Sequence, residues 1–198
     1  PVDRTWDRRP RLSVVHKEER RLHESEDRNP MSIREFRKTR RHLPHWQAPG
    51  ETHFVTFTLI DRQACDLTTP SFARLIVEAL RFRNRERYIL HEWVIMPDHI
   101  HFLVWPMPNE DGFFSLSRIT GDMKSFLAHQ INRAIGRRGA FWQDESFDHV
   151  VRSPAEFGRY AQYIVMNPVT EGLAEDPRDW PWAGNESRRR LTEEDASG

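Results

Sequence analysis

The strongest constraint on the fold is a very short link between two hydrophobic segments. Residues 88–96 are YILHEWVIM and residues 99–106 are HIHFLVWP, and only Pro97 and Asp98 lie between them. A connection this short joins neighbouring antiparallel strands, so it predicts a β-hairpin. An isolated hairpin is marginally stable in water, so further strands or helices must pack against it.

The remaining hydrophobic segments supply two further strands and three helices. Alternation of apolar and polar side chains predicts strands, and apolar residues three and four apart predict helices. In chain order we expect a strand over 53–60, a helix over 70–86, the two hairpin strands, a helix from Leu116 to Ile135, a strand over 147–152, and a helix that begins at Ser153 and Pro154 and ends near Asn167, before Pro168.

The order of these elements is β-α-β-β-α-β, followed by a helix. It predicts an α+β protein with a ferredoxin-like antiparallel sheet, helices on one face, and an additional C-terminal helix that carries Tyr163.

Charge-rich sequence flanks this pattern at both ends. We expect residues 1–41 to form a charged and partly disordered N-terminal extension, residues 42–184 to form one domain, and residues 185–198 to form a polar tail. The basic segment that ends at Pro44 is interpreted as a short helix or arm. The chain after Glu171 is expected to pack loosely.

The composition argues against a membrane or secreted protein. Mean hydropathy is −0.76, no apolar run is long enough to span a membrane, and residues 1–12 lack the apolar stretch of a secretory signal. The lone Cys65 has no internal disulfide partner and fits a reducing compartment. These features predict a cytoplasmic protein without a membrane partner.

The charges balance overall but are unevenly distributed. The chain has 30 Lys and Arg residues and 30 Asp and Glu residues, so its net charge is zero. No acidic residue occurs between Met123 and Gln143, where four cations lie: Lys124, Arg133, Arg137 and Arg138. Such a cluster can bind nucleic-acid phosphates, or it can be an ordinary solvated helix face.

Two histidines occupy alternate positions of the second hairpin strand. His99 and His101 therefore point to the same side of the sheet, with Ile100 on the other side. Two neutral imidazoles on one face can share a divalent cation and leave coordination positions open for a substrate. The alternative is a structural pair that is hydrogen-bonded at the sheet surface.

One of the three tyrosines lies where a nucleophile is plausible. On the predicted third helix Tyr160 belongs to the apolar stripe, whereas Tyr163 flanks that stripe. Asn167 follows Tyr163 by four residues, so both side chains share one helix face. A phenol beside an amide oxygen suits a nucleophile near a metal ligand, and an amphipathic tyrosine at the edge of the core is the alternative.

Three segments together resemble one family. VIMPDHIHFLVWP (94–106), FWQDESFDHVVR (141–152) and YIVMNPVTEGLAEDPRDWPWAG (163–184) are similar, in this order, to the blocks of the REP-associated tyrosine transposases, a branch of the IS200/IS605-like single-tyrosine enzymes. The resemblance covers about residues 42–184.

The resemblance implies roles for individual residues. It implies Tyr163 as the nucleophile that forms a 5′-phosphotyrosine, with His99, His101 and Asn167 as ligands of Mg²⁺ or Mn²⁺. It implies single-stranded DNA with a REP-like hairpin as the partner and allows a homodimer. Lys124, Arg133, Arg137 and Arg138 would contact the DNA backbone. Trp142 would stack on a base or fill the core, and His149 would orient a ligand, touch the phosphate or pack in the sheet.

Three functions stay open at this point. The first is an endonuclease and strand transferase. The second is a domesticated protein that binds hairpin DNA without cleaving it. The third is a metal-dependent phosphohydrolase that uses water, with no catalytic role for Tyr163.

Overall fold

The computed structural model describes residues 37–38, 46–47, 50–144 and 147–186. Its strands and helices, in chain order, are β1 (Arg37–Lys38), β2 (Trp46–Gln47), β3 (Thr52–Thr58), α1 (Pro70–Arg81), β4 (Tyr88–Ile95), β5 (His99–Pro106), β6 (Pro108–Asn109), β7 (Gly112–Phe113), α2 (Leu116–Ala134), β8 (Phe147–Val151), α3 (Pro154–Thr170), a 3₁₀ turn (Pro177–Asp179) and β9 (Ala183–Asn185).

The main sheet is antiparallel and has five strands in the order β8-β3-β5-β4-β9. The four neighbouring strands β8, β3, β5 and β4 have the ferredoxin-like order. In that order the first and third strands of the β-α-β-β-α-β unit, here β3 and β5, are central. The predicted α+β fold is therefore confirmed, including the hairpin of β4 and β5. The strand β9 is an addition at one edge of the sheet.

The two faces of this sheet have different partners. Phe57 and Ile100 lie on one face, in a core cluster that also contains buried residues of α1 and α2. Phe54 and His101 lie on the opposite face because strand side chains alternate. The helix α3 covers this second face, and its Tyr160 ring stacks on Phe54 with centroids 4.5 Å apart.

The helix α1 ends at Arg81, five residues before its predicted end. Two turn features follow it. Asn84 Oδ1 accepts a hydrogen bond from the backbone N–H of Leu90 at 2.9 Å, and Arg85 has a φ of +71°. Asparagine often makes such side-chain to backbone bonds in turns, and a positive φ breaks helical geometry. The predicted extension to residue 86 is therefore wrong.

The helix α3 continues through Pro168 to Thr170, so its predicted end before the proline is also wrong. An internal proline removes one helical hydrogen bond and restricts the residue before it. Here the last turn stays closed, because the backbone N–H of Glu171 donates to the carbonyl of Asn167 at 3.0 Å. Asn167 consequently remains helical, one turn beyond Tyr163.

The chain between residues 183 and 186 is held on the sheet, whereas the sequence predicted loose packing throughout the chain after Glu171. β9 extends the sheet beside β4, and Glu186 is bound by the Arg81 guanidinium at 2.6 Å. Three residues that include a glycine show no strand periodicity, which explains why the sequence did not predict β9. Two residues of the predicted 185–198 tail, Asn185 and Glu186, belong to this packed region, and residues 187–198 lie outside the described part.

Near the N-terminus only two short segments are described. β1 and β2 pair with each other as antiparallel strands, so the helical interpretation of the basic segment is wrong for Arg37 and Lys38. The rest of the predicted extension, 1–41, lies outside the described residues. Among the helices that the structure describes, none has the length and apolar character needed to cross a membrane.

The close approach of β9 to β4 predicts a sensitive position at Gly184. A Cβ at this residue would lie 2.5 Å from Cζ2 of Trp93. We expect Gly184→Ala to lower the free energy of unfolding by about 1–3 kcal/mol, as overpacking does. Urea unfolding monitored by circular dichroism measures this change.

Gly121→Ala in α2 is the matched control, because a Cβ there meets nothing within 4 Å. It is expected to stabilise the helix by about 0.5–1 kcal/mol. Equal stabilities of the Gly184→Ala protein and the unmodified protein would contradict the packing described for β9.

Candidate active site

Two buried histidines begin the central strand β5. His99 and His101 are 4% and 0% exposed, and their ring centroids lie 4.6 Å apart. The cross-strand register of β5 with β3 places Thr56 opposite His101. Both imidazoles lie on the same face of the sheet, as the alternating pattern predicts. This is the face that α3 covers.

Each histidine is held through its Nδ1 atom. His101 Nδ1 lies 2.8 Å from Thr56 Oγ1, and His99 Nδ1 lies 2.7 Å from Asp98 Oδ1. The other carboxylate oxygen of Asp98 binds Arg62 Nη1 at 2.8 Å. Histidines that bind metals are commonly oriented in this way, through a hydrogen bond at the ring nitrogen that does not bind the metal.

The remaining ring nitrogens are buried without hydrogen-bond partners. Among the described residues this holds for His99 Nε2, for His101 Nε2 and also for the side-chain oxygen of Asn167. A buried polar atom without a partner costs about 1–3 kcal/mol. Imidazole nitrogens and an amide oxygen are suitable ligands for divalent cations, so a bound cation would remove this cost.

The ionisation of the site fits metal binding. Complete burial, with a smaller contribution from the charge of His99, lowers the pKa of His101 well below its ordinary value of 6.5, so that this ring stays neutral. Burial acts to raise the pKa of Asp98, but the hydrogen bond from His99 and the charges of His99 and Arg62 outweigh it and lower that pKa. The Asp98 carboxylate is thus ionised, and His99 can donate to it from Nδ1.

Tyr163 lies beside the histidine pair. Its ring makes edge contacts with His101 and Phe54, with centroid distances of 5.2 Å and 5.8 Å. The side chain is half-buried, in contrast to Tyr160, which is 1% exposed and packs in the core. The structure thus places Tyr163 on the flank of the apolar stripe, as predicted, and brings it to the histidines.

The candidate ligand set contains two histidines and one amide. In the part of the chain that the structure describes, no group of three or more His, Cys, Asp or Glu side chains could hold a metal ion. The set His99, His101 and Asn167 contains only two side chains of these four types, because its third ligand is an amide. Asn167 is 3% exposed, so its oxygen is removed from bulk water.

A buried pair fixes the start of α3 on the sheet. His149 of β8 binds Glu156 through Nε2, and the other Glu156 oxygen accepts from the backbone N–H of Arg152 at 2.6 Å. Burial acts to raise the pKa of Glu156, but these hydrogen bonds outweigh it and lower the pKa. The His149 ring also lies 5.3 Å from Tyr160. His149 is therefore buried, and its bond to Glu156 attaches the first turn of α3, the tyrosine helix, to β8.

Two of the predicted DNA contacts have structural partners. Trp142 is 6% exposed and donates from Nε1 to the backbone carbonyl of Lys124 at 3.1 Å. Lys124 Nζ donates to the carbonyl of Gln143 at 2.8 Å and lies over the Phe57 ring. Trp142 thus belongs to the core cluster, and its stacking on a base stays a prediction.

Arg133, in the last turn of α2, and Arg137 and Arg138, in the loop after it, differ in their surroundings. Arg133 and Arg138 are exposed. Arg137 is half-buried and donates to the carbonyl of Ala140 at 2.7 Å, which shapes the loop. Arg133 and Arg138 thus remain available for phosphate contacts, which stay a prediction.

The sequence reasoning missed Arg62, Thr56 and Glu156. Glu156 follows the cap residue Ser153 by three positions, and this S-x-x-E spacing is the capping-box signal that could have identified it. Arg62 contacts Asp98, which lies 36 positions later in the chain. Thr56 contacts His101, which lies 45 positions later. No local pattern marks such contacts.

Two curated proteins are similar to this chain in sequence. No family model matches the chain. A REP-associated tyrosine transposase of Escherichia coli is 29% identical over 134 residues, which cover 68% of this chain and 76% of that protein. A putative REP-associated tyrosine transposase of Haemophilus influenzae is 28% identical over 145 residues, which cover 68% of this chain and 79% of that protein.

The fold matches a solved structure of the same kind. A REP-associated tyrosine transposase bound to a REP hairpin superposes with a TM-score of 0.57 at 24% identity, over 78% of this chain and 82% of that one. This similarity agrees with the resemblance of the three sequence motifs. In sequence over about two thirds of its length, and in fold, this chain is similar to the REP-associated tyrosine transposases.

Proposed function

We propose that this chain binds hairpin DNA and cleaves an adjacent single strand through a covalent 5′-phosphotyrosine on Tyr163. The observation that carries the proposal is the set of three buried polar atoms, His99 Nε2, His101 Nε2 and Asn167 Oδ1, that have no partner among the described residues. His101 contacts the Tyr163 ring, His99 lies beside His101, and Asn167 lies one turn beyond Tyr163 on α3. This arrangement is difficult to explain by packing alone, because each unpaired atom destabilises the fold.

The DNA partner is inferred from the relatives and from the exposed cations. One related protein is a transposase bound to a REP hairpin. In this chain Arg133 and Arg138 are exposed, on or just after α2. Guanidinium groups bind phosphates well, since their planar donors match the phosphate oxygens. We therefore propose single-stranded DNA with a REP-like palindrome as the substrate. The cytoplasmic location stays a prediction. A homodimer stays a prediction.

The proposed reaction is a transesterification at phosphorus. The phenolic oxygen of Tyr163 attacks, the bond from phosphorus to the 3′ oxygen breaks, and the 3′ oxygen takes up a proton to leave as a hydroxyl. The phenolic proton is lost to solvent. One phosphorus–oxygen bond forms and one breaks, so the number of phosphoester bonds is unchanged. This balance permits the reverse reaction, in which a 3′-hydroxyl attacks the phosphotyrosine and rejoins the strand.

His99, His101 and Asn167 would hold the divalent ion, Mg²⁺ or Mn²⁺. When bound, such an ion supplies positive charge that polarises the phosphate and stabilises the charge of the transition state. The neutral state of His101, which follows from its burial, keeps a lone pair available on that ring. The tyrosine helix contributes by holding Tyr163 against His101, with centroids 5.2 Å apart.

Replacement of Tyr163 tests the covalent step. We expect Tyr163→Phe to form no covalent adduct with hairpin DNA, because the attacking oxygen is absent, and to bind that DNA with unchanged affinity. The measurement is a denaturing gel of protein incubated with 5′- and 3′-labelled hairpin DNA and Mn²⁺, together with a gel-shift assay in the same buffer.

Tyr160→Phe is the control, since it makes the same substitution on the same helix at a core position. It is expected to retain the adduct. Cleavage that survives in Tyr163→Phe would instead identify a hydrolase that uses water. Hairpin binding by the unmodified protein without any cleavage would identify a domesticated binding protein.

Replacement of His99 tests the metal assignment. We expect His99→Ala to reduce the cleavage rate by more than about 100-fold, because loss of a ligand exceeds the roughly 10–100-fold effect of losing its supporting contacts. The fold is expected to remain intact, as thermal unfolding would record. Single-turnover cleavage at several Mn²⁺ concentrations measures the rate.

The exposed His129 on α2 provides the matched control. His129→Ala should cleave at the rate of the unmodified protein. An unchanged rate in His99→Ala would exclude this histidine as a metal ligand.

A further inference from the structure

The loop after β3 is attached to the turn that precedes the histidine pair. The backbone N–H of Leu59 donates to the carbonyl of Asp98 at 3.0 Å, and that of Leu67 donates to the carbonyl of Pro97 at 2.9 Å. These two bonds bracket Arg62. They hold its backbone at a constant distance from Asp98, so that the contact between the two side chains needs little additional ordering.

The Asp98 carboxylate has a separate partner for each oxygen. Oδ2 binds Arg62 Nη1 at 2.8 Å, and Oδ1 binds His99 Nδ1 at 2.7 Å. The side chains of Arg62 and Asp98 are 21% and 17% exposed, so water screens this pair less than an ion pair on the open surface. A carboxylate held at both oxygens cannot rotate away from the histidine.

We propose that Arg62 is a positioning residue, which acts through Asp98 to keep His99 in the tautomer with the proton on Nδ1. In that tautomer Nε2 carries the lone pair that a cation needs. The inference rests on the proposed function for the role of His99 as a ligand. It adds a residue to the site that lies outside all three sequence motifs.

The two histidines differ in how strongly their partners define the tautomer. The Asp98 carboxylate is paired with the Arg62 guanidinium through Oδ2, and as a carboxylate it accepts at Oδ1, so His99 donates to it from Nδ1. The partner of His101 is the Thr56 hydroxyl, which can either donate or accept. An effect of Arg62 should therefore appear at His99 and leave His101 unchanged.

The tautomer can be measured without any metal or DNA. Long-range ¹H–¹⁵N NMR of the metal-free protein, at a pH where both rings are neutral, distinguishes protonated from unprotonated ring nitrogens. We expect His99 Nδ1 to be fully protonated in the unmodified protein. In Arg62→Gln a measurable fraction of the proton should move to Nε2, and Asp98→Asn should shift it further, since an amide can also donate.

Two further variants separate positioning from packing. Arg62→Lys keeps a cation beside Asp98 and should restore the tautomer. Arg83→Gln removes the cation of an ion pair with Glu86 on the exposed surface and should change nothing at His99. The proposal is overturned if His99 Nδ1 stays fully protonated in Arg62→Gln.

Titration of the DNA-free proteins with Mn²⁺ by calorimetry gives the second measurement. Loss of a supporting contact typically weakens metal binding about 10–100-fold, and we expect Arg62→Gln to bind Mn²⁺ at least about tenfold more weakly, with Arg62→Lys close to the unmodified protein. Equal affinities of Arg62→Gln and the unmodified protein would overturn the proposal. Failure of the unmodified protein to bind Mn²⁺ would reject the metal site itself, and the NMR result would still decide whether Arg62 sets the tautomer.

Discussion

The central strand β5 is the element on which both the fold and the site depend. It pairs with β3 on one side and β4 on the other, and its side chains alternate between two buried faces. Ile100 and Phe102 enter the core cluster that contains α1 and α2 residues. His99 and His101 face α3. The hydrogen bonds that stabilise the sheet therefore also fix the spacing of the two imidazoles.

Phe54 joins the tyrosine helix to this strand. Its ring stacks on Tyr160 at 4.5 Å and on His101 at 5.3 Å, and Tyr163 contacts it edge-on. Each aromatic pair contributes about 0.5–1.5 kcal/mol beyond the burial of surface. The contacts that seat the helix α3 are thus the same contacts that place Tyr163 beside His101. Stability and geometry of the candidate site have a common origin in this cluster.

Elements with long, regular patterns could be predicted, and short or irregular ones could not. The β4–β5 hairpin and the face of Tyr163 follow from local periodicity. The end of α1 depends on the Asn84 side chain, whose role as an acceptor appears only in the folded loop. The continuation of α3 past Pro168 depends on backbone bonds that compensate for the missing donor. β9 forms because an existing edge strand accepts it, although its own three residues show no strand pattern.

By itself the sequence determined the order of the elements, the shared face of His99 and His101, the position of Tyr163 off the apolar stripe, and the likeness to a transposase family. These features depend on spacing along the chain, which strand and helix geometry convert directly into direction. The tertiary structure decided which helix covers the histidine face, that Trp142 is a core residue, and that Arg62 reaches His99 through Asp98. Those results depend on residues far apart in the chain, and only the packing of the sheet brings them into contact.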